Sequence, residues 1–552
     1  MEAELKSILK GVILTDEKSL LKYSRDASLF EVKPSLVVLP KDSQDIREVI
    51  RYVSANKEKN SSLSVSVRAG GSCMSGGSLN ESIVLDVSAN MSGIVSFEGN
   101  HITVLPGTPY RDIEKETLKR GLILPCFPAS KNLCAIGGMI GNNAAGEKTL
   151  SHGKMEDFIE SLNVILSDGN EYEFRALSGG ELSKKEGQDD LEGQIYRQMH
   201  KLIEDNKELI DRSKPKVSKN SAGYYLWNVY PGHALESGEE RKFYLTKLLV
   251  GSQGTLGIVT EATLRLIPVK KQSKLFVIFL KNLEPLSELV NVILTLKPET
   301  LESYDDATLK LGMRFFPEML KTMKTKHFFK MAMSFIPEGL IMLSSGIPKL
   351  MLLVEFVGDN SQEIDSKMDG LEKIISRFNL RTHRTKDQDE SEKYWAIRRE
   401  SFNLLRKHVK GKRTAPFVDD VVIEPKFLPE FLPKMRKILD DYNLYYTIAG
   451  HAGNGNFHII PLMDVSDPST EKIILEVSNK VYDLVAQYGG SITGEHNDGI
   501  VRTPFLSKMY NPEILGLFSQ TKRIFDPKNI FNPGKKVNGS IDYLKKHLIK
   551  TL

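Results

Sequence analysis

The chain has 552 residues, of which 40% are hydrophobic and 26% charged, and 75 Lys and Arg side chains against 71 Asp and Glu give a net charge of +4. A chain of this length builds two or more domains, and so balanced a charge argues against nucleic acid as a partner. Three cysteines (Cys73, Cys126 and Cys134) are too few for a disulfide framework or a protein-borne iron–sulfur cluster. We therefore expect a cytoplasmic protein, with neither a signal peptide nor an apolar run of the roughly 18–20 residues that span a membrane.

The first half of the chain alternates short strands with helices. Strands are predicted at 35–40, 63–67, 82–87, 102–105 and 162–166, and helices at 42–56 and 110–120. The stretch 178–194 is polar and poorly periodic, so we expect an irregular surface excursion there. Pro268 and the polar run after it mark a boundary, which divides the chain into a first domain at 1–268 and a second domain at 269–552.

The second half mixes strands and helices in an α+β pattern. Strands are predicted at 276–280, 351–357, 420–423, 445–449 and 457–461, and helices at 285–296, 362–378, 429–442 and 469–488. The stretch 310–349 is basic and rich in methionine and phenylalanine. Two interpretations of it stay open: an irregular cover over an active site, or a surface that contacts a membrane or a partner.

Three glycine-rich segments follow the strands of the first half, at 68–78, 136–146 and 251–257. Glycine lets backbone N–H groups approach an anion closely, and successive N–H groups bind phosphate. None of the three has the spacing of a Rossmann fingerprint or of a P-loop. One such loop is more often a simple turn, but three in succession indicate an extended phosphorylated cofactor.

The most informative segment runs from His451 to His458 and is followed by Glu495-His496. Asn454-Gly455 favours a two-residue hairpin turn, which would place His451 directly opposite His458. Directly opposed side chains lie roughly 4.5–5.5 Å apart at Cβ, a separation that suits two imidazoles on one metal ion. Glu495 is a candidate third ligand and His496 a candidate proton carrier. The alternative is a hairpin with two polar histidines on a solvent-facing side.

These residues resemble a known family. Pro34-x-x-Val37-Val38-x-Pro40, Arg68-Ala69-Gly70-Gly71-Ser72 and the segments 137–146 and 251–261 are similar to the FAD domain of the vanillyl-alcohol oxidase/p-cresol methylhydroxylase superfamily. The second half resembles the FAD-linked oxidase C-terminal domain of the same superfamily. The matching pieces are Trp395-x-x-Arg398, His451-x-Gly453-x-Gly455-Asn456-x-His458, Gly494-Glu495-His496 and the segment 525–535. The resemblance spans Tyr23 to Val537 and is nearest in its motifs to D-lactate, D-2-hydroxyglutarate and glycolate dehydrogenases.

The resemblance implies an α+β fold, in which a two-subdomain FAD-binding module precedes a substrate or cap domain and the C-terminal tail returns to the flavin. It implies His451, His458 and Glu495 as ligands of a divalent metal (zinc, or else manganese or iron), His496 as the base, and Arg398 as the clamp of a substrate carboxylate. A helix-surface arginine is the alternative for Arg398. The implied FAD contacts are Arg68, Gly70, Gly71, Ser72, Gly76, Gly77, Ser78, Gly137, Gly138, Gly141, Asn142, Asn143, Gly146, Gly254, Gly257, Ile258, Val259 and Asn532.

Three departures from the family pattern affect these expectations. Ser72 stands where flavinylated relatives carry histidine, which implies FAD without a covalent link. Asn497 follows Glu495-His496 where glycine is usual, as in the flavin half of larger fused oxidoreductases, but this chain lacks their C-terminal cysteine clusters. Ile460 replaces an asparagine that relatives often place two residues after the second histidine, so the particular hydroxy acid stays open.

The resulting hypothesis is an FAD-dependent enzyme that oxidises a D-2-hydroxy acid. Two alternatives remain: a flavin subunit that relays electrons to an iron–sulfur partner, and a transferase similar to alkylglycerone-phosphate synthases. The expected partners are a small hydroxy acid and an iron–sulfur or quinone electron acceptor. A homodimer, and contact with the inner face of a membrane through 310–349, are left open.

Overall fold

The computed structural model describes residues 1–231, 241–315, 346–408 and 411–550. Most of the basic, methionine-rich stretch lies outside these ranges, at 316–345, so neither interpretation of that stretch is tested. Within the described ranges, every helix is too short or too polar to cross a lipid bilayer.

The strands alternate with helices through the first half and form one large sheet in the second. In chain order they are β1 (Val12–Leu14), β2 (Leu36–Leu39), β3 (Val65–Arg68), β4 (Ile83–Asp86), β5 (Ile94–Glu98), β6 (His101–Val104), β7 (Leu122–Ile123), β8 (Ile159–Ile165), β9 (Glu171–Arg175), β10 (Ile258–Arg265), β11 (Ile267–Pro268), β12 (Gln272–Leu280), β13 (Thr300–Asp305), β14 (Leu350–Gly358), β15 (Arg381–Arg384), β16 (Arg413–Thr414), β17 (Val421–Val422), β18 (Tyr445–His451) and β19 (Asn456–Met463).

The helices surround these sheets. They are Glu2–Ile8, Glu17–Tyr23, Ser43–Asn56, Tyr110–Leu118, Ile136–Asn142, Thr149–His152, Gly179–Glu186, Leu191–Asp205, Lys207–Ser213, Leu226–Val229, Thr246–Leu249, Leu286–Thr295, Asp306–Arg314, Ser361–Ile375, Gln388–His408, Leu428–Asp441, Thr470–Gln487, Gly499–Arg502, Pro512–Phe525 and Ile541–His547.

The first sheet has the order β1-β2-β4-β3, with β2, β4 and β3 parallel and β1 antiparallel to β2. Helix Ser43–Asn56 connects β2 to β3 and buries Ile46, Val49, Ile50 and Val53 on one face, because these apolar residues recur at helical spacing. The first glycine loop, 68–78, begins at the carboxyl end of β3. In parallel sheets this is the end at which ligands commonly bind.

The second sheet is antiparallel, with the order β5-β6-β10-β8-β9. The third glycine loop, 251–257, leads directly into β10, whose first residue Ile258 pairs with Ile165 at the end of β8. The pairing of β10 therefore fixes where this loop ends.

The largest sheet is also antiparallel and has the order β15-β12-β14-β13-β18-β19-β16, with β17 paired to β19. Helices Asp306–Arg314 and Gln388–His408 contribute Leu309 and Trp395 to a buried cluster that includes Leu353 of this sheet. Strand β13, which the sequence analysis did not predict, lies between β14 and β18. It brings Glu302 to His451 of the β18–β19 hairpin.

Two local predictions are wrong. The stretch 178–194 is not irregular but contains helix Gly179–Glu186 and the start of helix Leu191–Asp205, since Ser178 and Glu181 form a capping box and Leu182 supplies a buried contact. The second glycine segment begins as helix Ile136–Asn142, which ends where Asn143 takes a left-handed conformation with φ of +53°.

Candidate active site

The β18–β19 hairpin has a different register from the one predicted. Ala452–Asn454 form a 3₁₀ turn that Gly455 closes at φ of +65°, so His451 pairs with Asn456, and Ala449 pairs with His458. The prediction that the two histidines lie directly opposite each other is therefore wrong. The turn is wider because tertiary contacts hold it: the Ser218 hydroxyl donates to the carbonyl of Asn454 at 3.0 Å.

The two imidazoles nevertheless meet at the end of the hairpin. The ring centroids of His451 and His458 are 5.3 Å apart, with the planes nearly perpendicular at 85°. The Nε2 atoms of His451 and His458 lie 3.4 Å and 3.3 Å from Oε1 of Glu495. Neutral imidazole nitrogens and a carboxylate oxygen are ligands that zinc prefers, so the donor set fits a divalent cation.

His496 completes this arrangement from the segment after Glu495. Its Nε2 is 3.9 Å from Oε1 of Glu495, and its ring stacks on His458 with centroids 5.0 Å apart and an interplanar angle of 30°. Three imidazoles thus turn their Nε2 atoms toward one carboxylate oxygen. The structure brings together every residue that the sequence analysis named as a metal ligand or base, while their roles stay predictions.

Three carboxylates surround the imidazoles; we call Glu302, Asp419 and Glu495 the carboxylate trio. Glu302 accepts from Nδ1 of His451 at 2.6 Å. Asp419 contacts Nδ1 of His458 at 3.2 Å with one oxygen and Nδ1 of His496 at 2.7 Å with the other. Carboxylates that hold the second ring nitrogen of a histidine fix the orientation of the ring. Sequence reasoning missed Glu302 and Asp419, because neither carries a motif of its own.

Lys219 is a further residue that sequence reasoning missed. Its ammonium group donates to Oε2 of Glu495 at 2.8 Å and to the side-chain oxygen of Asn456 at 3.3 Å, and the lysine side chain has 0% exposure. Lys219 comes from the first half of the chain, whereas its partners belong to the second. Nothing in the local sequence around Lys219 indicates so distant a contact.

The segment that carries Glu495 and His496 is held by Asp420. One oxygen of this buried carboxylate accepts from the backbone N–H groups of Gly494, Glu495 and His496 at 2.9, 2.8 and 2.7 Å. Three such charge-assisted hydrogen bonds fix the loop in one conformation. The strand predicted at 420–423 is in fact short, at β17, and Asp420 precedes it at φ of +72°.

Arg398 lies beside this site on helix Gln388–His408. Its guanidinium group is 3.1 Å from Oε2 of Glu302, and its side chain is 11% exposed. The arginine is thus not on an open helix surface, which was the alternative for it. Its predicted contact with a substrate carboxylate stays a prediction.

The electrostatics of the site follow from burial and ion pairing. Burial favours the neutral form of Glu495, but Lys219 and His451 outweigh it and hold the pKa of Glu495 well below its ordinary value. Burial lowers the pKa of His458, but hydrogen bonds to Asp419 and Glu495 outweigh burial and raise it to about 10. The pKa of His496 is also raised, because the charge of Asp419 outweighs burial.

The three glycine segments converge on Gln253, a residue that the sequence analysis did not single out. Its backbone N–H donates to the carbonyl of Gly141 at 2.9 Å, and its side-chain amide donates to Ser75 and Asn142, each at 3.2 Å. The C-terminal tail joins them, since the amide of Asn532 donates to the carbonyl of Gln253 at 2.8 Å. The three glycine segments therefore converge, as one extended cofactor requires, and the hydrogen bonds of Gln253 connect them.

This cofactor region is continuous with the histidine site. The side-chain oxygen of Gln253 accepts from the backbone N–H of Gly499 at 2.8 Å, and the amide of Asn497 donates to the carbonyl of Gly251 at 2.9 Å. The segment from Glu495 to Gly499 therefore links the histidine site to the third glycine loop.

The glycines of the loops divide into two groups by what a Cβ atom would meet. Seven are closed by protein atoms nearer than 3.0 Å and serve packing: Gly70, Gly71, Gly76, Gly77, Gly137, Gly146 and Gly257. Gly251 lies between the two groups, with Cβ of Asn143 at 3.3 Å. Three have no atom within about 3.7 Å and leave their faces open: Gly138, Gly141 and Gly254. Open glycine faces fit a cofactor that approaches the backbone closely.

Polar atoms in the same region also fit a bound cofactor. Ser78 Oγ and Asn532 Oδ1 are buried without a hydrogen-bond partner among the described residues. Buried polar atoms are normally satisfied, so these two point to a polar ligand. Other predicted contacts are engaged elsewhere: the Arg68 guanidinium donates to the carbonyl of Arg25 at 2.8 Å, and Ile258 lies in the hydrophobic core. The individual cofactor contacts stay predictions.

Fold and site together define a class of protein in which a glycine-loop cofactor module adjoins a histidine–carboxylate site on an antiparallel sheet. The family model of the FAD binding domain matches residues 34–175, and that of the C-terminal domain of FAD linked oxidases matches residues 270–536. The chain therefore carries an FAD binding domain followed by the C-terminal domain of FAD linked oxidases, and the predicted resemblance and FAD-binding module are confirmed.

Relatives of known name are similar over most of this chain. D-2-hydroxyglutarate dehydrogenase of Pseudomonas putida is 26% identical over 97% of this chain and 51% of its own length. D-lactate dehydrogenase of Archaeoglobus fulgidus is 26% identical over 91% of this chain and 91% of its own. The chain thus spans about half the length of the D-2-hydroxyglutarate dehydrogenases that it matches.

Among solved structures, p-cresol methylhydroxylase with substrate bound has a TM-score of 0.67 at 14% identity, covering 97% of this chain and 96% of that one. At this identity the likeness shows the fold alone. It confirms the predicted fold class, an FAD-binding module of p-cresol methylhydroxylase type followed by a second mixed domain. The boundary at 268 stays a prediction.

Proposed function

We propose that the protein is an FAD-dependent enzyme that oxidises a D-2-hydroxy acid to the 2-oxo acid. The observation that carries this proposal is the convergence of His451, His458 and His496 on Glu495, next to the glycine loops of an FAD binding domain. The names of the relatives, D-2-hydroxyglutarate and D-lactate dehydrogenases, support the same class of substrate.

FAD would be held without a covalent link by the three glycine loops and Asn532. The open faces of Gly138, Gly141 and Gly254 and the unpartnered atoms of Ser78 and Asn532 support this assignment. When bound, FAD supplies the acceptor for the hydride that leaves the substrate Cα. The glycine loops set the place of the cofactor, and the segment 495–499 connects that place to the histidines.

A divalent cation, zinc in our proposal, would be held by His451, His458 and Glu495. These ligands lie within 4.8 Å of one another, and three protein ligands leave a coordination position for substrate. When bound, such a cation supplies a Lewis acid that lowers the pKa of a hydroxyl group. Lys219 occupies the other oxygen of Glu495, so that only Oε1 faces the imidazoles.

The remaining residues would handle the proton and the carboxylate of the substrate. Asp419 holds Nδ1 of His496, which leaves Nε2 to take the hydroxyl proton as the general base. Arg398 would bind the substrate carboxylate through a forked pair of N–H donors, and this fixes the direction of the Cα–H bond. Glu302 restrains both Arg398 and His451, so the carboxylate clamp and a metal ligand share one anchor.

Electrons would leave the flavin for an iron–sulfur protein or a quinone. We place the FAD-binding domain at 1–268 and the substrate domain at 269–552. Lys219 then reaches from the first domain into the site of the second.

The test is anaerobic reduction of the purified holoprotein by D-2-hydroxy acids, before and after chelation. Flavin absorbance near ~450 nm should bleach only with the metal present. The Glu495→Ala variant should retain flavin without bleaching, whereas the Lys508→Ala variant, changed at an exposed pair with Asp483, should behave as the wild type. Flavin that no hydroxy acid reduces would leave the relay or the transferase as the function. Equal bleaching after complete chelation would refute the metal.

A further inference from the structure

A single buried aspartate contacts two of the three imidazoles. Asp419 has 0% side-chain exposure, and its two oxygens face Nδ1 of His458 and Nδ1 of His496 at 3.2 Å and 2.7 Å. The two rings stack at an interplanar angle of 30°, so that both turn Nε2 the same way. One carboxylate therefore sets the rotation of a ring that we assign to the metal and of a ring that we assign to proton transfer.

The backbone of Asp419 is itself held rigidly. The guanidinium group of the fully buried Arg502 donates to the carbonyl of Asp419 at 2.7 Å and to that of Asn497 at 3.0 Å. Arg502 thus connects the segment before β17 to the segment that carries His496. Asp419 has little freedom to move, which is what an orienting residue requires.

We propose that Asp419 is a positioning residue that holds the metal ligand His458 and the base His496 in one shared orientation, with both Nε2 atoms directed at Glu495. This inference rests on the proposed function. Asp419 accepts both Nδ1 protons, because an ionised carboxylate has acceptor sites on each oxygen and no donor. An asparagine of the same shape accepts with its oxygen only, so its amide nitrogen would face one ring as a donor and force that ring to change its tautomer or turn.

The same two imidazoles offer an alternative position for a metal ion, beside Asp419. Asp419, His458 and His496 also lie within 4.8 Å of one another. That position uses the Nδ1 atoms, which are already at hydrogen-bonding distance from the carboxylate, and lacks His451. The position at Glu495 uses the Nε2 atoms of both hairpin histidines. The two positions predict opposite results for substitutions of His451 and Asp419.

The experiment measures zinc binding by equilibrium dialysis of the flavin-loaded protein, together with turnover at saturating zinc. For Asp419→Asn we expect the zinc dissociation constant to rise about 10- to 100-fold, as for other residues that orient metal ligands. At saturating zinc, kcat should fall by about 100-fold through misplacement of the base, while the KM for the hydroxy acid stays unchanged. The flavin content of each sample, read from its absorbance, should equal that of the wild type.

The matched control is Asp305→Asn. Asp305 is equally buried in the same domain, caps helix Asp306–Arg314 and pairs with Arg436 at 3.0 Å, but contacts none of the three histidines. Its zinc dissociation constant should not change. An equal loss of zinc affinity in both variants would mean that Asp419 affects zinc binding only through the stability of the fold. That result would overturn the assignment.

Other outcomes discriminate further. Wild-type zinc affinity and kcat in Asp419→Asn would refute the positioning role alone and leave the proposed function intact, whereas a wild-type protein that binds no zinc would refute both. Zinc binding that survives His451→Gln but is abolished by Asp419→Asn would place the ion at Asp419. If Asp419→Asn does not fold, ¹⁵N spectra of the zinc-loaded wild type decide instead: Nδ1 of His496 must carry a proton, and an Nδ1 without a proton would overturn the proposal.

Discussion

Lys219 and a bound cation would neutralise opposite oxygens of the same buried carboxylate, so the Lys219→Met substitution tests the metal site through stability. Lys219 lies 2.8 Å from Oε2 of Glu495, and both side chains are buried. Removing one partner of a buried ion pair costs about 3–5 kcal/mol, because the other charge stays buried and uncompensated. In the chelated protein we therefore expect Lys219→Met to lower the free energy of unfolding by about 4 kcal/mol.

Zinc should reduce that loss, since it would neutralise Glu495 from the side of Oε1. What remains is the hydrogen bond of a charged group, about 2 kcal/mol. The difference of about 2 kcal/mol fixes a second quantity by linkage: the variant should bind zinc roughly 30-fold more tightly than the wild type. The change in unfolding free energy and the change in zinc affinity must agree, because linkage relates one to the other.

The assay is urea unfolding of wild type and variant, each with zinc and with chelator. Lys522→Met is the matched control, because Lys522 forms a buried ion pair with Asp526. The distance between Nζ of Lys522 and Oδ2 of Asp526 is 2.5 Å, and neither residue contacts the three histidines. Its loss of stability should be the same with and without zinc. The reasoning is refuted if zinc leaves the cost of Lys219→Met unchanged, or if that variant binds zinc no more tightly than the wild type.

Three further predictions concern binding and turnover. Zinc must displace the proton of His458, whose pKa is raised to about 10 in the ion-free protein. Below that pH, the affinity for zinc should therefore fall by about tenfold for each unit by which the pH is lowered. Isothermal titration in buffers of different protonation enthalpy should detect the released proton. Gln253→Ala should release flavin on gel filtration at least about tenfold more readily than the wild type, because the loops at Ser75 and Asn142 lose a shared donor. Arg398→Lys should raise the KM for hydroxy acids about 10- to 100-fold with flavin and zinc content unchanged, since lysine lacks the forked donors; an unchanged KM would remove Arg398 from substrate binding.

Local patterns in the sequence located most of the elements but not their partners. Helix Ser43–Asn56 and strand β2 follow directly from apolar spacing and from a terminating proline. The hairpin register was wrong because Asn454-Gly455 has the composition of a two-residue turn, whereas the contact with Ser218 holds a wider one. A contact across more than 200 residues leaves no local trace in a single sequence.

The functional residues divide in the same way. His451, His458 and Glu495 stand in short motifs, so the sequence was sufficient to name them. Lys219 and Asp419 act only through partners far away in the chain, and the side chains of both look ordinary in their own segments. The sequence analysis missed the second group for a physical reason. The motifs carry the residues that would contact a ligand, whereas the residues that orient them are charged side chains from distant parts of the chain.

The balance of charge at the site leads to a statement about the substrate. The carboxylate trio faces two fixed cations, Lys219 and Arg398, and the protonated form of His458 supplies a third. The charges of these six groups sum to zero when His496 is neutral, as its proposed role as the base requires. Exchange of that one proton for a divalent cation adds a single net positive charge in a buried place, where an unmatched charge is costly. One substrate carboxylate would restore neutrality, so the proposed metal-loaded site would favour an anionic hydroxy acid over a neutral alcohol.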